Sequence, residues 1–176
     1  MKSKAANIVA GCLSAMLLLS SCSKETGRYK GSYSFKTSGE LVLKVVEVIS
    51  DTLPVSVGDT LSLPLTNEWG QMNVVVRDKS DKTMLVTMDV VGGEATAFEA
   101  EASESHITLL PKERYITVQI LNNITQRTQV TVTGKGERYG NVLLFKLDYS
   151  GTLNAVSGKY EILESKVECV AEINEN

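Results

Sequence analysis

Val142-Leu143-Leu144-Phe145-Lys146-Leu147-Asp148-Tyr149-Ser150-Gly151-Thr152-Leu153 carries the clearest structural signal in the chain. Leu143, Phe145, Leu147, Tyr149 and Leu153 fall on one side of an extended backbone, and Lys146, Asp148, Ser150 and Thr152 fall on the other. Side chains of a strand alternate between faces, so this period of two describes a strand with one face buried and one in water. The pattern recurs outward in both directions. It groups Met84, Val86, Met88 and Val90, then Ile116, Val118 and Ile120, then Val130 and Val132, and finally Val167, Cys169, Ala171 and Ile173. In Leu41 to Ile49 the apolar phase slips between Val45 and Val46, which predicts a β-bulge there.

Turn residues separate these runs. Asp78 to Asp81, Gly92-Gly93, Asn122-Asn123 and the glycine-rich stretch Gly134 to Gly140 before Asn141 are read as connections, because Gly and Asn tolerate the positive φ of tight turns. Pro64 cannot donate to a ladder, so Leu61 to Leu65 is expected to be an edge strand or a loop. Ala95 to Ser105 is the best helix candidate, yet Glu99 and Glu101 also fit the outer face of a strand. About ten short strands with almost no helix imply an all-β fold: an antiparallel β-barrel, with a two-sheet β-sandwich as the alternative.

The start of the chain has a different composition. Lys2 and Lys4 precede the twelve-residue apolar run Ile8 to Leu19, which is the layout of a secretory signal peptide and too short to span a bilayer stably. It ends in Leu19-Ser20-Ser21-Cys22, which resembles the lipobox of bacterial lipoproteins. The resemblance implies cleavage after residue 21, acylation of Cys22, and a membrane partner reached through the lipid. Residues 1–21 are thus expected to be the signal, 22–27 a short tether, and 28–176 a single all-β domain. By similarity with lipoprotein sorting in Gram-negative bacteria, Ser23 rather than Asp after the cysteine implies the outer membrane, with the periplasmic face and the cell surface both open. Ser23 to Gly27 reach less than ~20 Å at ~3.4 Å per residue, so the domain should sit close to the lipid. Gly27-Arg28-Tyr29 at the opening of the domain, with the all-β pattern, is similar to the calycin-like and lipocalin-like lipoproteins, with tyrosine where the lipocalin opening motif carries tryptophan. That resemblance implies a barrel that binds a small ligand.

Charge and residue inventory narrow the function. The 176 residues hold 18 Lys plus Arg against 21 Asp plus Glu, and removing Lys2 and Lys4 with the signal leaves sixteen against 21. Nucleic acid, which demands a basic footprint, is not an expected partner. Cys12 falls in the signal and Cys22 carries lipid, so Cys169 has no disulfide partner in the mature chain, and its alternation with Val167 and Ala171 marks it as a buried hydrophobe. His106 is the single histidine, which leaves no His cluster for a metal, and no cofactor or metal is expected. Glu94, Glu99, Glu101 and Glu104 are close in sequence, but alternate strand positions make them solubilising charges more readily than a glycosidase pair.

Several residues are candidates for binding. Trp69, the sole tryptophan, lies in the loop-like Thr66 to Gly70, where its indole either packs over the end of the barrel or, exposed, stacks on a sugar ring. Met72, Met84 and Met88 occupy inward positions, where methionine is ordinary core filler; in an open-mouthed barrel the alternative is that some of them, with Tyr29 or Phe145, border a mostly apolar cavity of ~300 Å³ or more. Asp51-Thr52-Leu53 and Asp59-Thr60-Leu61 resemble the O-glycosylation acceptor of exported proteins in some gut-dwelling Gram-negative bacteria, which makes Thr52 and Thr60 candidate modification sites. Asn123-Ile124-Thr125 fits the N-glycosylation sequon, which a bacterial lipoprotein rarely uses. The expectation is a lipid-anchored envelope protein that binds a small apolar or saccharide ligand or a protein partner, and is not an enzyme. The alternatives are a structural subunit of an outer-membrane complex or a carboxylate-dependent glycan hydrolase. Replacing the anchor cysteine tests the first step: Cys22→Ala moves the protein from the membrane to the soluble fraction, and intact-mass spectrometry shows the loss of the acyl mass that the wild type carries.

Overall fold

The computed structural model describes residues 26–49, 54–78, 82–121 and 125–174, so Cys22, Thr52, the turn residues 79–81 and the Asn122 to Ile124 stretch lie outside the described residues. Ten strands run in chain order: β1 (Gly31–Val48), β2 (Thr60–Pro64), β3 (Trp69–Asp78), β4 (Thr83–Val90), β5 (Thr96–Ala102), β6 (Ile107–Val118), β7 (Gln126–Tyr139), β8 (Val142–Ser150), β9 (Thr152–Ala155) and β10 (Gly158–Ile173). They form one sheet in the order β2-β1-β3-β4-β5-β6-β7-β8-β10-β9, and β1 also pairs with β10. The result is a closed antiparallel eight-stranded barrel with β2 and β9 as additional strands, rather than a sandwich. Closure removes the free edges that an open sheet of this length would expose.

The alternation in Val142 to Leu153 places Leu143, Phe145, Leu147, Tyr149 and Leu153 in the interior. The other period-two runs fill the same core, which also takes Tyr33, Phe35, Leu41, Val74, Phe98 and Ile107. Ala95 to Ser105 contains β5, with Glu99 and Glu101 on its exposed face. The slip in β1 is a bulge at the expected place: the register with β10 shifts between Val45 and Glu47, and Val46 turns outward. Pro64 ends β2, an edge strand. One connection was placed too early by the sequence. Gly134 and Gly136 are interior residues of β7, and only Gly140-Asn141 forms the turn. A Cβ at Gly136 would meet the Phe145 ring at 2.5 Å, and one at Gly134 would meet Leu147 at 2.9 Å, so these glycines make room for large side chains on the next strand.

Two long strands organise the barrel. β1 and β10 pair from Tyr33↔Ile173 to Val48↔Gly158, but each changes its second partner halfway. β1 leaves β3 after Lys36 and takes up β2 from Glu40, and β10 exchanges β8 for β9. Gly39 sits at the switch in β1 with φ 141°, and Gly151 at the corner between β8 and β9 with φ 129°. Beyond the switch, β2-β1-β10-β9 forms a four-stranded extension past one end of the barrel.

At the other end the chain entering the barrel forms a strap. The Arg28 guanidinium donates to the Glu104 carbonyl at 2.7 Å and the Arg138 carbonyl at 3.3 Å, while Arg138 donates back to the Arg28 carbonyl. Tyr29 is fully buried and donates its hydroxyl to the Ser103 carbonyl at 3.2 Å, and Tyr33 donates to the Tyr29 carbonyl at 2.8 Å. Arg28 and Tyr29 therefore tie the β5–β6 connection and the end of β7 across this end.

The bend at Gly39 gives a direct stability test. A Cβ there would lie 2.0 Å from the Lys166 carbonyl oxygen, on a backbone at positive φ. Gly39→Ala is expected to destabilise the fold by roughly 3 kcal/mol or more. Gly27→Ala, where a Cβ meets nothing within 4 Å, should change it by less than about 0.5 kcal/mol in the same urea titration.

Candidate functional site

A single proline opens the barrel wall. The β5–β6 ladder holds only three pairs, Ala100↔Leu109, Glu101↔Thr108 and Ala102↔Ile107. The next position on β6 is Leu110-Pro111, where the β6–β7 register takes up one extra residue between Leu109 and Lys112. Pro111 has no N–H to give a neighbouring strand, and a bulge turns the strand aside. From there β6 continues paired to β7 alone, and Thr96 to Glu99 of β5 face no ladder partner on that side. The far end of the β6–β7 hairpin is instead held to the extension: Ser157 Oγ donates to the Ile120 carbonyl at 3.2 Å, and the Val156 N–H donates to Gln126 Oε1 at 2.9 Å.

The space left between β6, the β4–β5 turn and the crossing segment 65–68 is an open cavity of about 830 Å³ at the end of the barrel opposite the strap. Thr37, Thr96, Arg114, Tyr149 and Val167 are buried residues along its floor. Trp69, Val91, Glu94 and Arg127 stand on its exposed rim. Trp69 is the first residue of β3 rather than a loop residue, because it pairs with Lys36 and its carbonyl accepts from the Val91 N–H at 2.9 Å. Its side chain remains 58% exposed. Glu94 and Arg127 make an ion pair of 2.5 Å across the open part of the wall, with the Arg127 guanidinium 4.4 Å from the Tyr115 ring centroid.

Arg114 is the central group. The extra residue at Leu110-Pro111 reverses the parity of β6, so Ile107 and Leu109 point inward before it and Arg114, Ile116 and Val118 after it. Arg114 Nη2 donates to Glu68 Oε1 at 2.5 Å, with the arginine side chain 7% exposed and the glutamate 24%. Thr37 fixes the Glu68 backbone from both sides: its N–H donates to the Glu68 carbonyl at 2.7 Å and its Oγ1 accepts from the Glu68 N–H at 2.9 Å. Two polar atoms of the pair, Arg114 Nε and Glu68 Oε2, are buried with no hydrogen-bond partner. Beside them, burial pushes the Tyr149 hydroxyl up to about 12, against an opposing pull from Arg114. Tyr149 is therefore a neutral hydroxyl at any physiological pH.

The sequence candidates divide sharply by place. Trp69 reaches the cavity. Met72, Met84, Met88, Tyr29 and Phe145 do not border it; they are packed in the core with at most 1% exposure. Thr60 is exposed at the start of β2. His106 lies on the β5–β6 connection at the strap end, its Nδ1 3.0 Å from Ser103 Oγ and Ser105 Oγ. Cys169 is buried, and burial together with nearby Glu68 pushes its thiol up to about 12, the character of an unreactive core residue. Of the four clustered glutamates only Glu94 reaches the cavity, while Glu99 pairs with Arg77 on the outer wall. Among the described residues no group of three or more His, Cys, Asp or Glu is placed to hold a metal ion.

Arg114 was missed by a reading that followed apolar phase alone. It lies two residues before Ile116 and four before Val118, in phase with a buried face, and that phase was the available signal. Glu68 left no such signal, since only the chain crossing between β2 and β3 brings it to Arg114. No protein-family model matches the chain and no curated protein is significantly similar to it, so the site rests on its own geometry.

Removing one member of a buried pair leaves the other uncompensated. Arg114→Met is expected to cost about 2–3 kcal/mol, below the ~3–5 kcal/mol of a fully enclosed pair because Glu68 keeps some contact with water. Combined with Glu68→Gln, the loss should be smaller than the sum of the two single losses by about 1 kcal/mol, read from denaturant midpoints.

Proposed function

We propose that this chain is a lipid-anchored cell-envelope binding protein that holds a small ligand at the mouth of its barrel and performs no chemistry on it. The observation that carries this reading is the open cavity of about 830 Å³ whose floor contains a buried, incompletely satisfied ion pair and whose rim carries the sole tryptophan. Small-molecule sites are typically concave, of ~300–1,000 Å³, with a few polar groups among apolar walls. The barrel interior is a different matter, since eight strands enclose only enough space for side chains or one small molecule. Here aromatic, methionine and aliphatic side chains occupy it.

The lipobox resemblance supports an outer-membrane location. Thr26 to Lys30 lead into the barrel at the strap end. A lipid on Cys22 would hold that closed end toward the outer membrane and turn the mouth away from it. Ligands arriving through water then have access that membrane lipids lack.

A carboxylate-dependent glycan hydrolase is less well supported. Glu94 and Glu113 border the same cavity as Glu68, but Glu94 is engaged with Arg127 and Glu113 accepts a hydrogen bond from Gln129 at 2.7 Å. A purely structural subunit leaves the cavity without a role.

Because Trp69 is the only tryptophan, its fluorescence reports on this site alone. Binding of a ligand at the mouth is expected to shift Trp69 emission saturably. Thr96→Phe, which places a ring over the cavity floor from the inward face of β5, should abolish that shift with the fold intact by circular dichroism.

A further inference from the structure

We infer that the ligand is a neutral saccharide, seated with one ring face on Trp69 and with adjacent hydroxyls completing the hydrogen bonds of Glu68 and Arg114; this rests on the binding function proposed above. The first argument is the pair of unpartnered atoms. Glu68 Oε2 needs a donor and Arg114 Nε needs an acceptor, and both belong to residues bordering the cavity. A hydroxyl group is donor and acceptor at once, and neighbouring hydroxyls on a sugar ring present one of each at short separation. A hydrocarbon chain would leave both atoms unpaired. A carboxylate would serve Arg114 but bring its charge against Glu68. Glu68 retains 24% side-chain exposure, so it has room to turn Oε2 toward an incoming group while Thr37 holds its backbone.

The second argument is charge. Glu68, Glu94 and Glu113 border the cavity, and Lys112, Arg114 and Arg127 oppose them in equal number. A cavity built for an anion or a cation would carry an excess of the opposite sign. The third is shape and surface. A half-exposed indole on the rim offers a flat apolar face to the C–H side of a sugar ring, and the neutral Tyr149 hydroxyl and the Thr37 and Thr96 side chains give the floor further polar character. The mouth also lies at the end away from the strap, where a water-soluble ligand enters freely.

The full chain, purified with its lipid in a sugar-free zwitterionic detergent, is titrated with three sets of probes while Trp69 emission and saturation-transfer NMR are recorded. The sets are neutral gluco-, manno- and xylo-oligosaccharides, oligogalacturonate as the charged counterpart, and N-phenylnaphthylamine as the apolar one. A neutral oligosaccharide is expected to bind, with Glu68→Gln and Arg114→Lys each weakening it about tenfold or more and Glu101→Gln on the outer wall leaving it unchanged. Trp69→Phe, an exposed position that does not threaten folding, should weaken binding about fivefold or more by calorimetry, which keeps the test decisive if Arg114→Lys fails to fold. If the apolar probe or oligogalacturonate binds at Trp69 and no neutral saccharide does, the saccharide inference is overturned and the binding function stands. If no probe in any set shifts Trp69 or shows saturation transfer, both are overturned.

Discussion

The ladder between β1 and β10 is the constraint on which the rest of the molecule depends. It joins the first and last strands of the barrel from Tyr33↔Ile173 to Val48↔Gly158, and without it the sheet would end in two long edges. Both strands are longer than the barrel wall needs. The surplus is accommodated by bending at Gly39 and by two compensating bulges, Leu163 on β10 and Val46 on β1. It continues past the barrel as the extension, which gives the β6–β7 hairpin something other than β5 to lean on. The opening in the wall is thus a consequence of strand length at one place and a missing proline N–H at another.

Burying an ion pair beside an opening is an expensive arrangement if stability is the only demand, because desolvation offsets much of the attraction and apolar residues of similar volume often do as well. Arg114 and Glu68 make one hydrogen bond between them, and each keeps a buried polar atom unpartnered. Unsatisfied buried polar groups are few in folded proteins, and each calls for an explanation. Their position at the cavity, rather than deep in the core, sets both unpartnered atoms beside open space.

Much of the fold was legible because burial of one strand face imposes a period of two, and the side chains of β8 and the last turn of β10 follow it without exception from Val142 to Tyr149 and from Val167 to Ala171. The bulge at Val46 was legible for the same reason: a phase slip has only one cheap explanation in a strand. Gly134 and Gly136 were misread as turn residues because glycine has two uses, positive φ and small size, and only the neighbouring Phe145 and Leu147 reveal which applies. Trp69 was identified as a candidate and does lie on the rim, though as a strand residue. The methionines were legible as inward-facing and as core filler, which is how they pack, while the cavity reading failed because pattern reveals the side of the sheet and not the distance across it. Glu68 was beyond reach because its partner is 46 residues away, joined only by tertiary structure.

The two ends of the barrel divide the work. At one end, Arg28, Tyr29, Tyr33 and Arg138 spend their hydrogen-bonding groups on backbone carbonyls of the strap and the connections beside it. At the other, the Glu94–Arg127 pair bridges exposed positions, where it is weak and readily opened by water and salt. Trp69 stands half in solvent, and two buried polar atoms wait on the floor beneath it. The barrel is thus polar along its axis: side chains bonded to backbone carbonyls close the end where β1 begins, and a half-open wall with partly satisfied polar groups forms the other.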